Sequence, residues 1–402
     1  MLNLILLLIL SPYTAILLGV YALYKVYKDR NYYIIENCNT WNLCNMGLFA
    51  LFVWSFMVGI VNKSLVSTLA SLGFLLYFSL SILIQEKLSN NEIINKVFNY
   101  LLSFSVFAGI FGIVEKYLFS KFTLSLWRAY LGLPTEGKLD YRISSTFVNS
   151  NVAGDWFAIM IIVAVFYSGI CKTKKQKWIY NSMIVLFLID LCLTGSRGAF
   201  IALIGGLAVL FLLKGSKKNI VAIGIVVAII SIVGFMPSEV SAISEEITGH
   251  EIARSFDTRE EIWRGSIRMF EDKPITGWGM AGTIEQSSNY FRTGRIVNHS
   301  HNIWLSFATS LGFIGLILYL MMRLSVYRGI YYLYKENATL FPLLVAIQIA
   351  LVCHGTIDFT IITPQIGILF IGTSSMILSL ARSEVNATFK ERHIVNSIEC
   401  RI

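Results

Sequence analysis

The chain has 402 residues, 55% of them hydrophobic and 14% charged, whereas about a quarter of the residues of a soluble domain are Asp, Glu, Lys or Arg. That composition excludes a soluble fold and describes an all-α polytopic membrane protein. The net charge of +9 does not imply nucleic acid, because the positive-inside bias of short loops accounts for most of it.

Crossing the hydrocarbon core as a helix takes about 20 apolar residues. Runs that qualify lie near 3–25, 45–62, 66–84, 97–118, 154–171, 178–194, 198–213, 219–236, 303–322, 338–355 and 364–381, which predicts about eleven spans, with 10 to 12 as the range. The first run has no basic start and no small-residue cleavage site, and Lys25, Lys28 and Arg30 follow it, so it is expected to remain as a helix. Pro12 removes a backbone hydrogen bond there and is expected to kink it; one helix and a short hairpin both fit.

The segments predicted are a scaffold over 1–118 and a transmembrane region with the first external loop over 119–236. A large external loop over 237–302 and the C-terminal helices with a cytoplasmic tail over 303–402 follow. Lys172 to Lys177, the turn from Lys214 to Lys218, Arg323, Arg328 and the tail from Arg382 mark the cytoplasmic side. The loops 119–153 and 237–302 are then external. Cys38, Cys44, Cys171, Cys192, Cys353 and Cys400 show neither metal-ligand spacing nor a disulfide framework. With no P-loop, no dinucleotide fingerprint and no internal repeat, any energy source must come with the substrate.

Polar chemistry gathers at the external ends of the spans. Glu115 and Lys116 close the fourth span, and the first loop ends in Arg142, Ser144, Ser145, Thr146, Asn149, Ser150 and Asn151, a run suited to a polar ligand or to an ordinary turn. Thr194-Gly195-Ser196-Arg197-Gly198 holds Arg197 close to the bilayer, where its planar fork matches phosphate oxygens or lipid headgroups. From Arg259 to Met269 the pattern predicts an amphipathic helix, with Ile262, Trp263, Ile267 and Phe270 spaced to give one apolar face that can lie on the membrane and Arg264 and Arg268 on its solvated side. Lys273 to Gly279 closes that helix with a turn. His299, His301 and Asn302 then run into an apolar helix, with Gly312 and Gly315 beyond, and ionisable groups at such a junction carry a functional expectation. His354 and Asp358, four residues apart, share a helical face and read either as a pair orienting the site or as a satisfied helix end.

The spacing His301-Asn302, nine residues, Gly312, two residues, Gly315 resembles the signature of the O-antigen ligase and O-antigen polymerase superfamily, membrane glycosyltransferases that use polyprenyl-diphosphate-linked sugars. Tyr141 to Gly154, Leu193 to Phe200 and Thr258 to Gly282 resemble the family's other motifs in the same order, so that the likeness spans about 100–380; Ser150 stands where many members have proline. The resemblance implies a GT-C-like fold and transfer of a saccharide from a polyprenyl-diphosphate-linked donor to a glycan or lipid-linked acceptor on the outer face of the cytoplasmic membrane.

It further implies His301 as catalytic base, preferred over His299 on the spacing to Gly312, with Arg197, Arg142 and Arg259 on the donor diphosphate. Asn302, Asn149, Asn151, His354 and Asp358 are expected at the sugar or acceptor, or as orienting groups. The transfer is expected to be inverting and metal-independent, with no cofactor and no metal, and with a chain-length regulator protein as a further partner. The rival reading is a flippase for the same lipid-linked sugar, which is expected to show repeats and polar or broken helices at the midplane. Polymerase and ligase share the motifs and stay unseparated.

Overall fold

The structure, a computed structural model, describes residues 4–29, 42–119, 142–147, 149–214, 248–291 and 296–399. The predicted span at 219–236 therefore lies outside the described residues. Every regular element among those described is helical, and eight helices are long and apolar enough to cross a membrane. The expected all-α polytopic class is what the structure shows, although the count of eleven spans is not reproduced.

The first predicted span is two helices, α1 (Ile5–Leu10) and α2 (Pro12–Lys28), which meet at an extended Ser11 and pack against each other. Pro12 cannot donate a hydrogen bond, and the Ser11 hydroxyl instead caps α2 by accepting from the Tyr13 and Thr14 amides at 3.1 and 3.3 Å. After α3 (Leu43–Val61) come the short α4 (Leu65–Ala70), α5 (Leu72–Lys87), and α6 (Asn91–Val114) with a wider turn over Glu115–Phe119. The middle of the chain supplies α7 (Ser150–Ile170), α8 (Lys174–Thr194) and α9 (Arg197–Lys214). Next come the long polar α10 (Thr248–Asp272) and two single turns, α11 (Gly282–Glu285) and α12 (Ser287–Tyr290). The last group is α13 (Ile303–Lys335), the short α14 (Phe341–Gly355) and α15 (Pro364–Glu399).

These helices form two packed groups. In one, α6, α8, α9 and α14 surround α7, whose residues from Val152 to Ala164 are all buried. In the other, α2, α3, α5, α13 and α15 pack together, and the groups meet where α14 touches α13 and α15. Small residues allow close approach between α9 and α14, where a Cβ on Gly206 would lie 3.1 Å from the Ala346 carbonyl. The ends of α7, α9 and α13 place Lys172, Lys174, Lys175, Lys177, Lys214 and Lys335 at one end of the bundle, opposite Arg142, Arg197 and His301.

One sequence assignment changes. Arg323 is not in a short basic loop, because α13 continues to Lys335 and buries it; its guanidinium donates to Gln348 Oε1 at 2.7 Å and lies 4.9 Å from the Phe370 ring centre.

The helix α13 is broken at Gly312, whose φ of 67° and ψ of −166° interrupt the ladder at membrane depth. Freed backbone groups in hydrocarbon cost several kcal/mol each unless they are satisfied. The turn after α10 satisfies them: Trp278 N donates to Thr309 O at 2.9 Å and Gly279 N to Ser310 O at 2.8 Å, while Phe313 N donates to Pro274 O at 2.7 Å. The Trp54 indole from α3 takes the Leu311 carbonyl at 2.8 Å. A Cβ at residue 312 would lie 2.1 Å from Ile275 O, so glycine is required by contact as well as by φ. The family-like spacing from His301 to Gly312 is thus the distance from the start of α13 to the notch that receives the preceding loop.

That loop has its own small core. Ile262 and Met269 of α10 are buried with Phe291 and Val297, and Trp278 and Tyr290 pack against them. The amphipathic helix is present, and of the residues expected on its apolar face Ile262 packs inward with Met269 while Ile267 is exposed.

Candidate active site

The seam between the two helix groups collects the polar residues. The loop at 142–147 is held there by Glu115, whose carboxylate accepts from the Ser144 amide at 3.1 Å and the Ser145 amide at 2.6 Å, and by the Ser145 hydroxyl on Ala108 O at 2.6 Å. Arg142 Nε donates to Thr194 O at 2.6 Å and its Nη2 to Asn151 Oδ1 at 2.7 Å. Gly195, in the left-handed region at φ 57°, ends α8 beside the Arg142 side chain.

A chain of hydrogen bonds continues from there. Asn151 Nδ2 donates to Asp358 Oδ2 at 2.7 Å, and Asp358 Oδ1 lies 3.0 Å from His301 Nδ1. His301 has φ 47°, an uncommon conformation for a residue with a Cβ, and its amide donates to His299 Nδ1 at 3.2 Å. Accepting that bond requires a lone pair on His299 Nδ1, which leaves its proton on Nε2, 3.7 Å from Asp358 Oδ1. Burial agrees, lowering the His299 pKa to about 4 against the opposite pull of Asp358 and with a contribution from His301. Burial alone would raise the Asp358 carboxyl, but the His301 hydrogen bond and the charges of His299, His301 and His354 outweigh it and hold Asp358 well below the usual range.

The two histidines are therefore not equivalent. Both ring nitrogens of His299 face protein groups, whereas His301 is tethered through Nδ1 and has Nε2 left for a substrate.

Beneath this pair, His354 is fully buried with its Nδ1 3.0 Å from Asp155 Oδ2, and the Thr360 hydroxyl donates to the same oxygen at 2.7 Å. Gly198 packs directly on the His354 ring, since a Cβ there would lie 2.7 Å from its Cδ2. The first turn of α9, and with it Arg197, is seated on this buried layer. Arg197 is exposed and makes no hydrogen bond among the described residues. Arg259, half-buried on α10, is lowered from the ordinary arginine range chiefly by burial; the Asp358 charge raises it and the Arg197 charge lowers it further. The two cations, on separate elements, are thus close enough for their charges to interact, and Arg259 also feels the Asp358 charge.

Several residues expected at the substrate have other partners. Asn149 caps α7, accepting from the Asn151 and Val152 amides at 2.9 and 3.0 Å. Asn302 caps α13, accepting from Leu305 N at 3.0 Å, and donates to Thr356 O at 3.0 Å, which ties the start of α13 to the end of α14. Asn151 uses both ends of its amide between Arg142 and Asp358. Arg264 pairs with Glu260 at 2.5 Å and Arg268 donates to Tyr290 O at 2.7 Å, both at the exposed surface.

Glu115, Asp155 and Thr360 enter the site's support although sequence reasoning did not assign them there. Asp155 carried a usable signal, an acid inside an apolar run, where an ionisable residue needs a named partner. His299, His301 and Asp358 each place one potential metal ligand within 4.8 Å of the others. In the arrangement shown, His301 Nδ1 lies 3.0 Å and His299 Nε2 3.7 Å from Asp358 Oδ1.

No curated protein matches the chain. The family model described as O-antigen ligase matches residues 182–320, a stretch that holds Arg197, Arg259, His301 and the Gly312 notch. The motif with Arg142 and Asn151 lies ahead of the match, and the structure joins it to His301 through Asp358. Over that stretch, about a third of the chain, the match supports the resemblance to the O-antigen ligase and O-antigen polymerase superfamily.

Proposed function

We propose that the chain transfers a saccharide from a polyprenyl-diphosphate-linked donor to a glycan hydroxyl at the outer face of the cytoplasmic membrane, with inversion and without a metal ion. The observation that carries this reading is the His301–Asp358 pair, 3.0 Å apart, with His301 Nε2 uncommitted and Arg259 within reach of the Asp358 and Arg197 charges. Asp358 fixes the tautomer of His301, so that Nε2 accepts the proton of the acceptor hydroxyl as its oxygen attacks the anomeric carbon. The bond from that carbon to the diphosphate oxygen breaks, and the electron pair leaves with the lipid diphosphate.

Developing charge on the leaving group, beside low-dielectric lipid, is met by Arg197 and Arg259. The geometry supports Arg142 as the brace that holds Asn151 on Asp358, in place of the diphosphate contact expected from sequence. Against the flippase reading, the break at Gly312 is filled by the protein's own loop.

Turnover of a purified lipid-linked donor tests the proposal. His301→Ala is expected to lower the rate by roughly 10² to 10⁴-fold, the usual contribution of a general base. His299→Ala retains most of the rate, Asp358→Asn falls with His301→Ala while donor affinity is kept, and a chelator changes nothing. Wild-type turnover in both histidine variants would overturn the assignment, and loss of activity on chelation would overturn its metal-free form.

A further inference from the structure

The transfer reaction leaves a buried cation unused. Arg323 is 1% exposed and stands about 16 Å further along α13 than Gly312, at 1.5 Å per residue, away from either end of the helix. Arginine keeps its charge at any working pH, and a charge inside a membrane bundle calls for a partner. Among the described residues Arg323 forms no ion pair. Gln348 of α14 accepts from Nη1 at 2.7 Å and is itself fixed by donating to Thr373 Oγ1 at 2.7 Å. The rings of Phe370 and Tyr327 have their centres 4.9 and 5.1 Å from the guanidinium carbon. These contacts orient the group without neutralising it.

One edge of the fork stays open. Nε is buried with no hydrogen-bond partner, and Nη1 is the only nitrogen of the guanidinium that has one among the described residues. Nε and Nη2 together present two parallel N–H groups, the geometry that takes both oxygens of an oxyanion. One turn earlier on the same face, the Tyr319 hydroxyl is likewise buried and without a partner.

Space for a ligand lies beside this group. An apolar cavity of about 400 Å³, a volume usual for small-ligand pockets, is lined by Tyr319, by Met322 next to Arg323, and by the Phe370 ring that lies against the guanidinium. At its rim Ile16, Leu69 and Leu72 are exposed large apolar side chains, so the cavity is continuous with the lipid-facing surface. A molecule that fits carries an apolar chain and a small head with one negative charge. A carboxylate meets both demands, because its single charge neutralises one guanidinium and its two oxygens match the open edge. A phosphate monoester carries close to two charges at neutral pH and would leave an excess in the same low-dielectric setting.

We propose that Arg323 and this cavity form a binding site for a long-chain carboxylate, the head on the Nε–Nη2 edge and the chain in the cavity. Such a site is independent of the transfer reaction, and binding to it is measured without turnover.

The full-length chain, purified in a non-ionic detergent and stripped of lipid, is titrated with radiolabelled palmitate in competition with methyl palmitate or hexadecyl phosphate. Palmitate is expected to bind saturably, methyl palmitate to compete poorly, and hexadecyl phosphate to bind more weakly than palmitate. Arg323→Gln removes the charge and the fork, and is expected to weaken palmitate by roughly ten- to a hundredfold, the scale of a charge-assisted bidentate pair. Gly73→Trp tests the same site with Arg323 intact, and decides the matter if Arg323→Gln does not fold. Gly73 lines the cavity and a Cβ built there meets nothing within 4 Å, so the indole takes the space of the chain, and Gly73→Ala is the matched control. The tryptophan variant is expected to lose palmitate and the alanine variant to keep it. No saturable binding to wild type, unchanged binding in Arg323→Gln or in Gly73→Trp, or equal competition by methyl palmitate would overturn the site and leave Arg323 a structural group held by Gln348 and two rings. Tighter binding of hexadecyl phosphate than of palmitate would overturn the carboxylate assignment.

Discussion

Arg197 is the residue whose chemistry separates recognition from anchoring. Its helix start rests on the buried His354 ring through Gly198, which fixes the guanidinium at the seam. Arg197→Lys keeps the charge and loses the planar fork, so donor turnover is expected to fall by roughly tenfold or more at unchanged membrane abundance. Near-full turnover in the lysine variant would make Arg197 a headgroup anchor. This residue and His301 were legible in the sequence because polar groups at the edge of apolar runs stand out. Asn149 and Asn302 were equally visible, but their roles were not: a helix cap and a sugar ligand use the same side chain, and only the hydrogen-bond partner tells them apart. The orienting part of Asp358 depended on its pairing with His301 across 57 positions of sequence, which no local pattern contains.

At the level of elements, the break in α13 was invisible to hydropathy, since residues 303–322 read as one uninterrupted apolar run. What betrayed it was spacing, Gly312 standing at a fixed distance from His301, and the reason is the docked turn Pro274 to Gly279. Gly312→Ala is expected to destabilise the fold, because a methyl group would meet the Ile275 carbonyl and the φ of 67° would carry a strain of about 1 to 3 kcal/mol. A thermal melt of the detergent-purified protein should show a clear drop in Tm, together with lower donor turnover. A melt identical to wild type would mean that the notch relaxes freely. The amphipathic α10 was legible as an element, but which of its apolar residues pack inward was not. Periodicity alone could not choose between Ile267 and Met269, and the partner that decided it, Phe291, lies in a later turn.

Across the whole molecule, the fold class followed from composition, while the division into two helix groups did not, because apolar runs carry no record of which neighbour they meet. The bundle has a basic end and a site end. If the positive-inside bias holds, a cysteine placed at exposed Ser288 is labelled from outside intact cells and one at exposed Gln176 is not. The reverse pattern would turn the molecule over and put the site on the cytoplasmic face.

The notch in α13 also bears on how the protein is made. The turn from Pro274 to Gly279 leaves the ribosome before Thr309 and Ser310, yet it supplies the amides that those carbonyls need. Until the two segments meet, α13 cannot rest in lipid in its broken form without unpaired backbone groups. Insertion of this helix and docking of the loop beside it are therefore one cooperative event, and His301, which precedes the helix, comes into place only when biogenesis of this half of the protein is complete.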